Sequence, residues 1–160
     1  MENNEIKKFE GGLIKQVNNA LGVTNKLLSI NLRPLRISHL DDHILYAKGI
    51  SNCILKKFPN ATFKNIQDGD KALEYVINCF ENIQLLDLII TDINHPGLNG
   101  IDFSKAVREK EKSLKKIPII FITMIDTEDI IKDAETIPFI KYLSKCSWCE
   151  EINFAIDNFI

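Results

Sequence analysis

The sequence predicts an α/β fold in which helices cover both faces of a parallel sheet. The first observation is an apolar run at residues 86–90 that leads to an acid, Asp92, and then to a loop rich in Pro, Gly and Asn. Such a run between turn signals is typical of a strand buried on both faces of a parallel sheet. The second observation is a regular alternation of apolar runs with amphipathic segments, which indicates the same class.

Five short segments have the composition of strands. They lie at residues 35–40, at residues 61–66, in the central run that ends at Asp92, at residues 117–123 and at residues 139–143. Several are bounded by residues that favour turns, including Pro59-Asn60 and Asp68-Gly69. The sequence therefore predicts five strands separated by connections long enough for helices.

Five helices are predicted between and after these strands, because apolar residues recur at helical spacing. Four of them show an apolar face, and the other is a short helix at about residues 127–134. The faces are Ala47, Ile50, Ile54 and Phe58; Leu73, Val76, Ile77 and Phe80; Phe103, Ala106 and Val107; and Trp148, Ile152, Ala155, Ile156 and Phe159. Right-handed crossovers then predict a doubly wound, flavodoxin-like sheet with strand order 2-1-3-4-5.

Residues 1–32 differ from the rest and are interpreted as an N-terminal helical extension to a domain at residues 33–160. Leu13, Val17, Leu21 and Leu28 recur at helical spacing. Three interpretations remain open: a helix packed on its own domain, a helix for dimerisation or partner docking, and a frayed tail.

Composition excludes several classes of function. The chain has 160 residues, 45% hydrophobic content and a net charge of −2, which gives no support to a nucleic-acid-binding surface. No window of eighteen apolar residues predicts a membrane span, and the acidic N-terminus is unlike a secretory signal. Four cysteines are too few for a disulfide framework, so a reducing, cytoplasmic compartment is expected.

Polar residues follow four of the predicted strands at their carboxyl ends. Asp41 and Asp42 follow the first strand, Asp92 ends the third, Thr123 ends the fourth and Lys145 follows the fifth. In the predicted strand order these side chains converge on one cleft. Three carboxylates together should hold a hard divalent cation such as Mg²⁺, and a lysine can bind phosphate as a point charge. The expected chemistry is phosphoryl transfer onto a carboxylate.

These motifs, taken in order, resemble the receiver domain of two-component response regulators over roughly residues 34–160. The matching pieces are L-D-D-H (40–43), D-G-D-K-A-L (68–73), D-L-I-I-T-D-I-N-H-P-G-L-N-G (87–100), P-I-I-F-I-T (118–123) and Y-L-S-K (142–145). The resemblance implies a signalling domain that is not an enzyme in the usual sense. It assists its own phosphorylation and dephosphorylation.

The resemblance also implies roles for the acidic residues. Asp92 would be the phospho-acceptor. Asp41, Asp42 and Asp92 would bind Mg²⁺, and Asn94 would give the metal its backbone carbonyl.

The remaining implied roles concern switching and partners. Thr123 would bind a phosphate oxygen and reorient, Lys145 would pair with the phosphoryl group, and Tyr142 would be the aromatic switch residue. The switched face would be helix four, strand five and helix five. The phosphoryl group would come from a sensor histidine kinase or a histidine phosphotransfer protein, and a homodimer is a further expected state.

Other interpretations of the same residues stay open. Each acid could cap a strand or form a salt bridge, Thr123 could be a capping residue and Lys145 a surface charge. A pseudo-receiver that binds partners without phosphorylation is the alternative function. A hydrolase with an Asp nucleophile is disfavoured, because the general acid expected two residues later is replaced by Asn94.

Several residues depart from the family pattern. Met124 follows Thr123 where a small residue is frequent, and Ser38 and His39 interrupt an otherwise apolar strand. Cys146 and Cys149 form a C-x-x-C motif, which can be a redox pair or half of a zinc site. No second such motif completes a zinc site, and the motif opens the last predicted helix rather than the first βα unit of a thioredoxin-like fold. Neither role is therefore the favoured interpretation.

Overall fold

The computed structural model describes residues 34–160, except for residue 83, residues 112–115, residues 125–126 and residue 148. The helical extension predicted for residues 1–32 and the packing predicted for Trp148 lie outside the described residues and stay predictions. Residues 35–160 form one compact unit. No helix in this described part is long and apolar enough to cross a membrane.

The described chain contains a five-stranded parallel sheet. The strands are β1 (Arg36–Leu40), β2 (Thr62–Ile66), β3 (Leu88–Thr91), β4 (Ile119–Thr123) and β5 (Ile140–Ser144). Their order is β2-β1-β3-β4-β5 and every neighbouring pair is parallel. The predicted fold class and strand order are therefore confirmed.

Five helices cover the two faces of this sheet. They are α1 (Ile44–Lys57), α2 (Gly69–Glu81), α3 (Gly100–Lys110), α4 (Glu128–Glu135) and α5 (Cys149–Asp157). One apolar core joins α1 and α5 to the sheet, and a second core joins α2, α3 and α4 to the opposite face. All residues of β3 and β4 are buried, which agrees with their continuous apolar sequences.

The buried face of α2 differs from the predicted stripe. The structure buries Ala72, Val76 and Cys79, whereas Leu73 and Ile77 are only partly buried. The buried residues follow the spacing i, i+4, i+7, which forms one face of a helix. Leu73 and Phe80 of the predicted stripe still pack against the core, and the small side chains of Ala72 and Cys79, which the predicted stripe did not include, complete the buried face.

A disulfide between α1 and α5 was not expected from the sequence. Cys149 is bonded to Cys53 and not to Cys146, its neighbour in the C-x-x-C motif. The two bonded residues are 96 positions apart, so only the packing of α5 against α1 brings them together. A single bond is not a disulfide framework, but no feature of the sequence predicted a bond between these two cysteines.

A buried ion pair fixes the amino-terminal end of β5. Arg108 donates to the Glu111 carboxylate (Nη1 to Oε2, 3.0 Å) and to the carbonyls of Ile117, Pro138 and Phe139 at 2.8–3.2 Å. Phe139 has a left-handed φ of 58°. A bulky residue in this conformation is strained. The hydrogen bonds that Arg108 donates to the carbonyls of Phe139 and Pro138 hold the conformation in place.

Candidate functional site

The structure brings the predicted site residues to the carboxyl edge of the sheet. Asp41 and Asp92 come directly after β1 and β3, Thr123 ends β4, and Lys145 comes directly after β5. Because β1, β3, β4 and β5 are neighbours in this order, their ends form one continuous row. The edge matches the usual location of ligands in open α/β sheets.

Lys145 is the residue that joins the two buried acids. Its ammonium nitrogen lies 2.7 Å from Asp92 Oδ2 and 2.8 Å from Asp41 Oδ2. Burial alone would lower the pKa of Lys145, but its hydrogen bonds to Asp41 and Asp92 and their charges outweigh burial and raise it. Lys145 is therefore cationic throughout the physiological range, as an ammonium group that contacts a phosphoryl group must be.

Main-chain amides hold the other oxygen of each buried acid. The Ile93 and Asn94 amides donate to Asp92 Oδ1 at 2.6 and 3.4 Å, and the His43 amide donates to Asp41 Oδ1 at 2.8 Å. These bonds fix the orientation of the two carboxylates, because a main-chain amide can shift only if the whole loop shifts with it. Asp92 is thus oriented by the chain itself, with Oδ2 facing Lys145.

The loop after Asp92 depends on two glycines and a helix cap. Gly97 has a left-handed φ of 75°, and a Cβ on Gly100 would lie 2.2 Å from the Asp92 carbonyl oxygen. Asn99 accepts from the amides of Ile101 and Asp102 and so begins α3. The Pro-Gly and Asn-Gly pairs of the sequence therefore keep the start of α3 close against Asp92.

Thr123 and Tyr142, the predicted switch residues, differ in their burial and in their surroundings. Thr123 is buried, and its carbonyl accepts from the Lys145 amide at 2.9 Å, which links the ends of β4 and β5. Tyr142 is partly buried against the core formed with α2, α3 and α4. Met124 is 67% exposed, so its side chain extends into solvent beside the site. The switching roles of Thr123 and Tyr142 stay predictions.

A metal ion has suitable ligands at the entrance of the site. Asp41, Asp42 and His43 each offer a ligand atom within 4.8 Å of the others, and Asp42 is partly exposed. His43 was not predicted as a member of this group. The carboxylate oxygens suit a hard cation, and the site carries three acids, counting Asp92, against one lysine. The donor set therefore fits Mg²⁺, whereas the role of the Asn94 carbonyl stays a prediction.

Tyr46 is a site residue that the sequence analysis missed. Its hydroxyl donates to the Lys145 carbonyl at 3.1 Å, and the Lys145 ammonium lies 4.6 Å from its ring centroid. Burial is the main influence that raises the pKa of Tyr46 to about 12. The contact spans 99 positions, so no local pattern in the sequence signals it.

His39 is buried in β1, beneath the site. Its Nδ1 has no hydrogen-bond partner among the described residues, and neither has the hydroxyl of Ser38. Burial is the largest influence and lowers the pKa of His39 from 6.5 to about 4, although the charge of Asp41 opposes this. Within the folded domain His39 is therefore neutral at neutral pH.

We expect the neutral state of His39 to make the domain less stable in acid. The unfolded chain binds a proton at His39 below about pH 6.5, whereas the folded chain does so only near pH 4. The free energy of unfolding should therefore fall between these values, by up to about 3 kcal/mol from this residue. Urea unfolding at several pH values in Mg²⁺-free buffer measures the slope.

The matched variants are His39→Leu and, as control, His43→Gln. His39→Leu should lose this part of the pH slope, whereas His43→Gln should keep it because His43 is exposed. An identical slope in the wild-type protein and His39→Leu would show that His39 is not held neutral.

The fold and the site together define an α/β domain with a buried acid–lysine cluster at the carboxyl edge of its sheet. Residues 37–157 match the response regulator receiver domain family. The chain therefore belongs to this family, the receiver domains of two-component response regulators. Receiver domains are signalling domains, not enzymes in the usual sense. They generally bind Mg²⁺ at an acidic pocket and interact with histidine kinases or phosphotransfer proteins.

Individual relatives agree with this assignment. The chain is 31% identical to Stress response regulator protein 1 of Debaryomyces hansenii over 98 residues, which are 61% of this chain and 38% of that protein. It is 25% identical to the signal receiver domain of the putative response regulator NarL from Mycobacterium tuberculosis. That structure has a TM-score of 0.65, and the match covers 79% of this chain and 95% of that one.

A further solved structure shows the same fold. Chemotaxis protein CheY4 of Vibrio cholerae has a TM-score of 0.67 at 21% identity, and the match covers 80% of this chain and all of that one. The chain spans only about a third to a half of the length of the first curated relatives that it matches.

Proposed function

We propose that this receiver domain accepts a phosphoryl group on Asp92 from a sensor histidine kinase or a histidine phosphotransfer protein. The observation that carries the proposal is the contact of one ammonium group, Lys145, with both Asp92 and Asp41 at 2.7–2.8 Å. A carboxylate nucleophile and a fixed cation beside it are what phosphoryl transfer requires.

The chain's own residues supply most of the chemistry. A carboxylate oxygen of Asp92 attacks phosphorus in line with the P–N bond of the partner's phosphohistidine. The P–O bond forms as the P–N bond breaks, and the imidazole nitrogen keeps the electron pair and takes a proton. Lys145 then moves from the Asp92 carboxylate to an oxygen of the phosphoryl group, and the Thr123 hydroxyl binds another.

Asp41, Asp42 and Asp92 would hold Mg²⁺, with the backbone carbonyl of Asn94. A bound Mg²⁺ ion neutralises the charge that develops on the phosphoryl oxygens. Lys145 can balance only part of the charge of three carboxylates. The acidic residues therefore have a further role in recruiting a cation before the phosphoryl group arrives.

Phosphorylation is proposed to switch the face formed by α4, β5 and α5, through Thr123 and Tyr142. Lys145 is directly after β5, so a change in its contacts acts on this strand first. The same face exposes Phe139 and Phe154, which are 56% and 65% exposed. Exposed aromatic side chains are common at interaction surfaces, so this face suits a partner or a homodimer.

We propose a cytoplasmic location and no direct contact with nucleic acid.

A phosphorylation assay in the presence and absence of Mg²⁺ tests the proposal. With a small phosphodonor such as acetyl phosphate, the wild-type protein should gain one phosphate only when Mg²⁺ is present. Asp42→Asn should raise the Mg²⁺ concentration for half-maximal rate by at least about tenfold, because even outer-shell changes cost 10- to 100-fold in metal affinity. Asp129→Asn, an exposed carboxylate in α4, is the control and should behave as the wild type.

Two results would count against the proposal. If phosphorylation is as fast in EDTA as in Mg²⁺, the transfer does not need a metal ion. No phosphate at saturating Mg²⁺, with a histidine kinase as donor, would favour a pseudo-receiver that binds partners independently of phosphorylation.

A further inference from the structure

Three cysteines lie around the contact between α1 and α5. Cys53, in the second half of α1, is bonded to Cys149, the first residue of α5, with a Cα–Cα distance of 5.5 Å. Cys146 is a free thiol three residues before Cys149. Cys79, the remaining cysteine, is free and buried in α2, a helix on the opposite face of the sheet.

The two cysteines of the bond differ in exposure. Cys53 is only 3% exposed, whereas Cys149 and Cys146 are exposed residues. Because access decides which sulfur of a disulfide is attacked, we expect an incoming thiolate to attack Cys149, the exposed partner.

We propose that Cys53, Cys146 and Cys149 form a thiol–disulfide exchange site that reacts with small cellular thiols. The thiolate of the small thiol attacks Cys149 Sγ, and the bond to Cys53 breaks. Cys53 leaves with the electron pair and takes a proton, so a mixed disulfide remains on Cys149.

Cys146 then resolves the mixed disulfide. Its thiolate attacks Cys149 Sγ, a Cys146–Cys149 bond forms, and the small thiol leaves as a thiolate. The net result moves the disulfide from Cys53–Cys149 to Cys146–Cys149, with no net oxidation or reduction and with the small thiol regenerated.

The exchange moves a covalent constraint next to the phosphorylation site. Before exchange, the bond ties α5 to α1. After exchange, it closes a short ring at Cys146, directly after Lys145, whose carbonyl is bound by Tyr46 of α1. This link to Lys145 rests on the proposed function, whereas the sulfur chemistry does not.

Mapping of cysteines after a glutathione pulse tests the site. The oxidised full-length protein is incubated with glutathione, quenched with acid, alkylated and digested. The wild-type protein should show alkylated Cys53 and a Cys146–Cys149 disulfide. In Cys146→Ser no Cys146–Cys149 bond can form, so each alkylated Cys53 should instead be matched by a mixed disulfide on Cys149.

Cys79→Ala is the control and should exchange as the wild type does. Equal amounts of mixed disulfide in the wild-type protein and Cys146→Ser would overturn the inference. So would a Cys53–Cys149 bond that stays closed in both proteins, or its absence from the oxidised protein. The mapping detects only the state of the cysteines and not phosphorylation. A protein that exchanges its disulfide but accepts no phosphate would therefore refute only the proposed function. A protein that accepts phosphate but does not exchange its disulfide would refute only this inference.

Discussion

Replacing Lys145 with Met is expected to slow phosphorylation of Asp92 by about 10²- to 10³-fold, as removal of one charge-stabilising donor does in other active sites. The ammonium group of Lys145 contacts both Asp41 and Asp92 and is held cationic by them. Met keeps much of the length of the side chain but cannot bind a phosphoryl oxygen. The rate of phosphate incorporation at saturating Mg²⁺, followed by intact mass, is the measurement.

Lys141→Met is the matched control for this variant. Lys141 lies on β5, the strand that Lys145 follows, but its ammonium group contacts the ring of Phe154, 5.8 Å from the centroid, and no acid of the site. Its rate should equal that of the wild type. An unchanged rate in Lys145→Met, or an equal loss in both variants, would show that Lys145 has no specific part in the transfer.

Replacing Arg108 with Met is expected to lower the free energy of unfolding by about 3–5 kcal/mol, the usual cost of breaking a buried ion pair by removing one partner. The side chains of Arg108 and Glu111 are 8% and 1% exposed, so the remaining carboxylate would be buried, and Lys116, 3.6 Å away, would be its one counter-charge among the described residues. Three carbonyls would also lose their donor. Urea unfolding followed by circular dichroism measures the change.

Two further variants separate the buried charge from other effects. In Arg108→Met combined with Glu111→Leu, no unpaired carboxylate is left, so much of the stability should return. Lys132→Met breaks an exposed pair with Glu128 and should cost no more than about 0.5 kcal/mol. A loss in Arg108→Met as small as that in Lys132→Met would contradict the structural role given to Arg108.

The sheet and the location of the site could be predicted from the sequence because both follow from local patterns. Apolar runs define the strands, and alternation with helices fixes a parallel sheet whose carboxyl ends share one edge. Asp41, Asp92 and Lys145 each come directly after a strand, so predicting the strands and their order was enough to place them together.

Contacts between distant parts of the chain could not be predicted in the same way. The Tyr46 hydroxyl reaches a carbonyl 99 positions away, and Cys53 reaches a cysteine 96 positions away. Both contacts depend on how α1 packs beside the end of β5 and beside α5, and no local sequence pattern predicts that packing. Arg108 stands in a segment rich in charged residues, so nothing in the local sequence signals that its side chain is buried. Its carbonyl partners around Phe139 become visible only in the structure.

The most direct test of phosphorylation at Asp92 is the intact mass of the protein after incubation with Mg²⁺ and acetyl phosphate, beside Asp92→Asn. Asn keeps the shape of the side chain but lacks the carboxylate nucleophile. We expect a single phosphate adduct on the wild-type protein and none on Asp92→Asn. An equal adduct on both proteins would contradict the assignment of Asp92 as the acceptor, and no adduct on either would contradict phosphorylation itself.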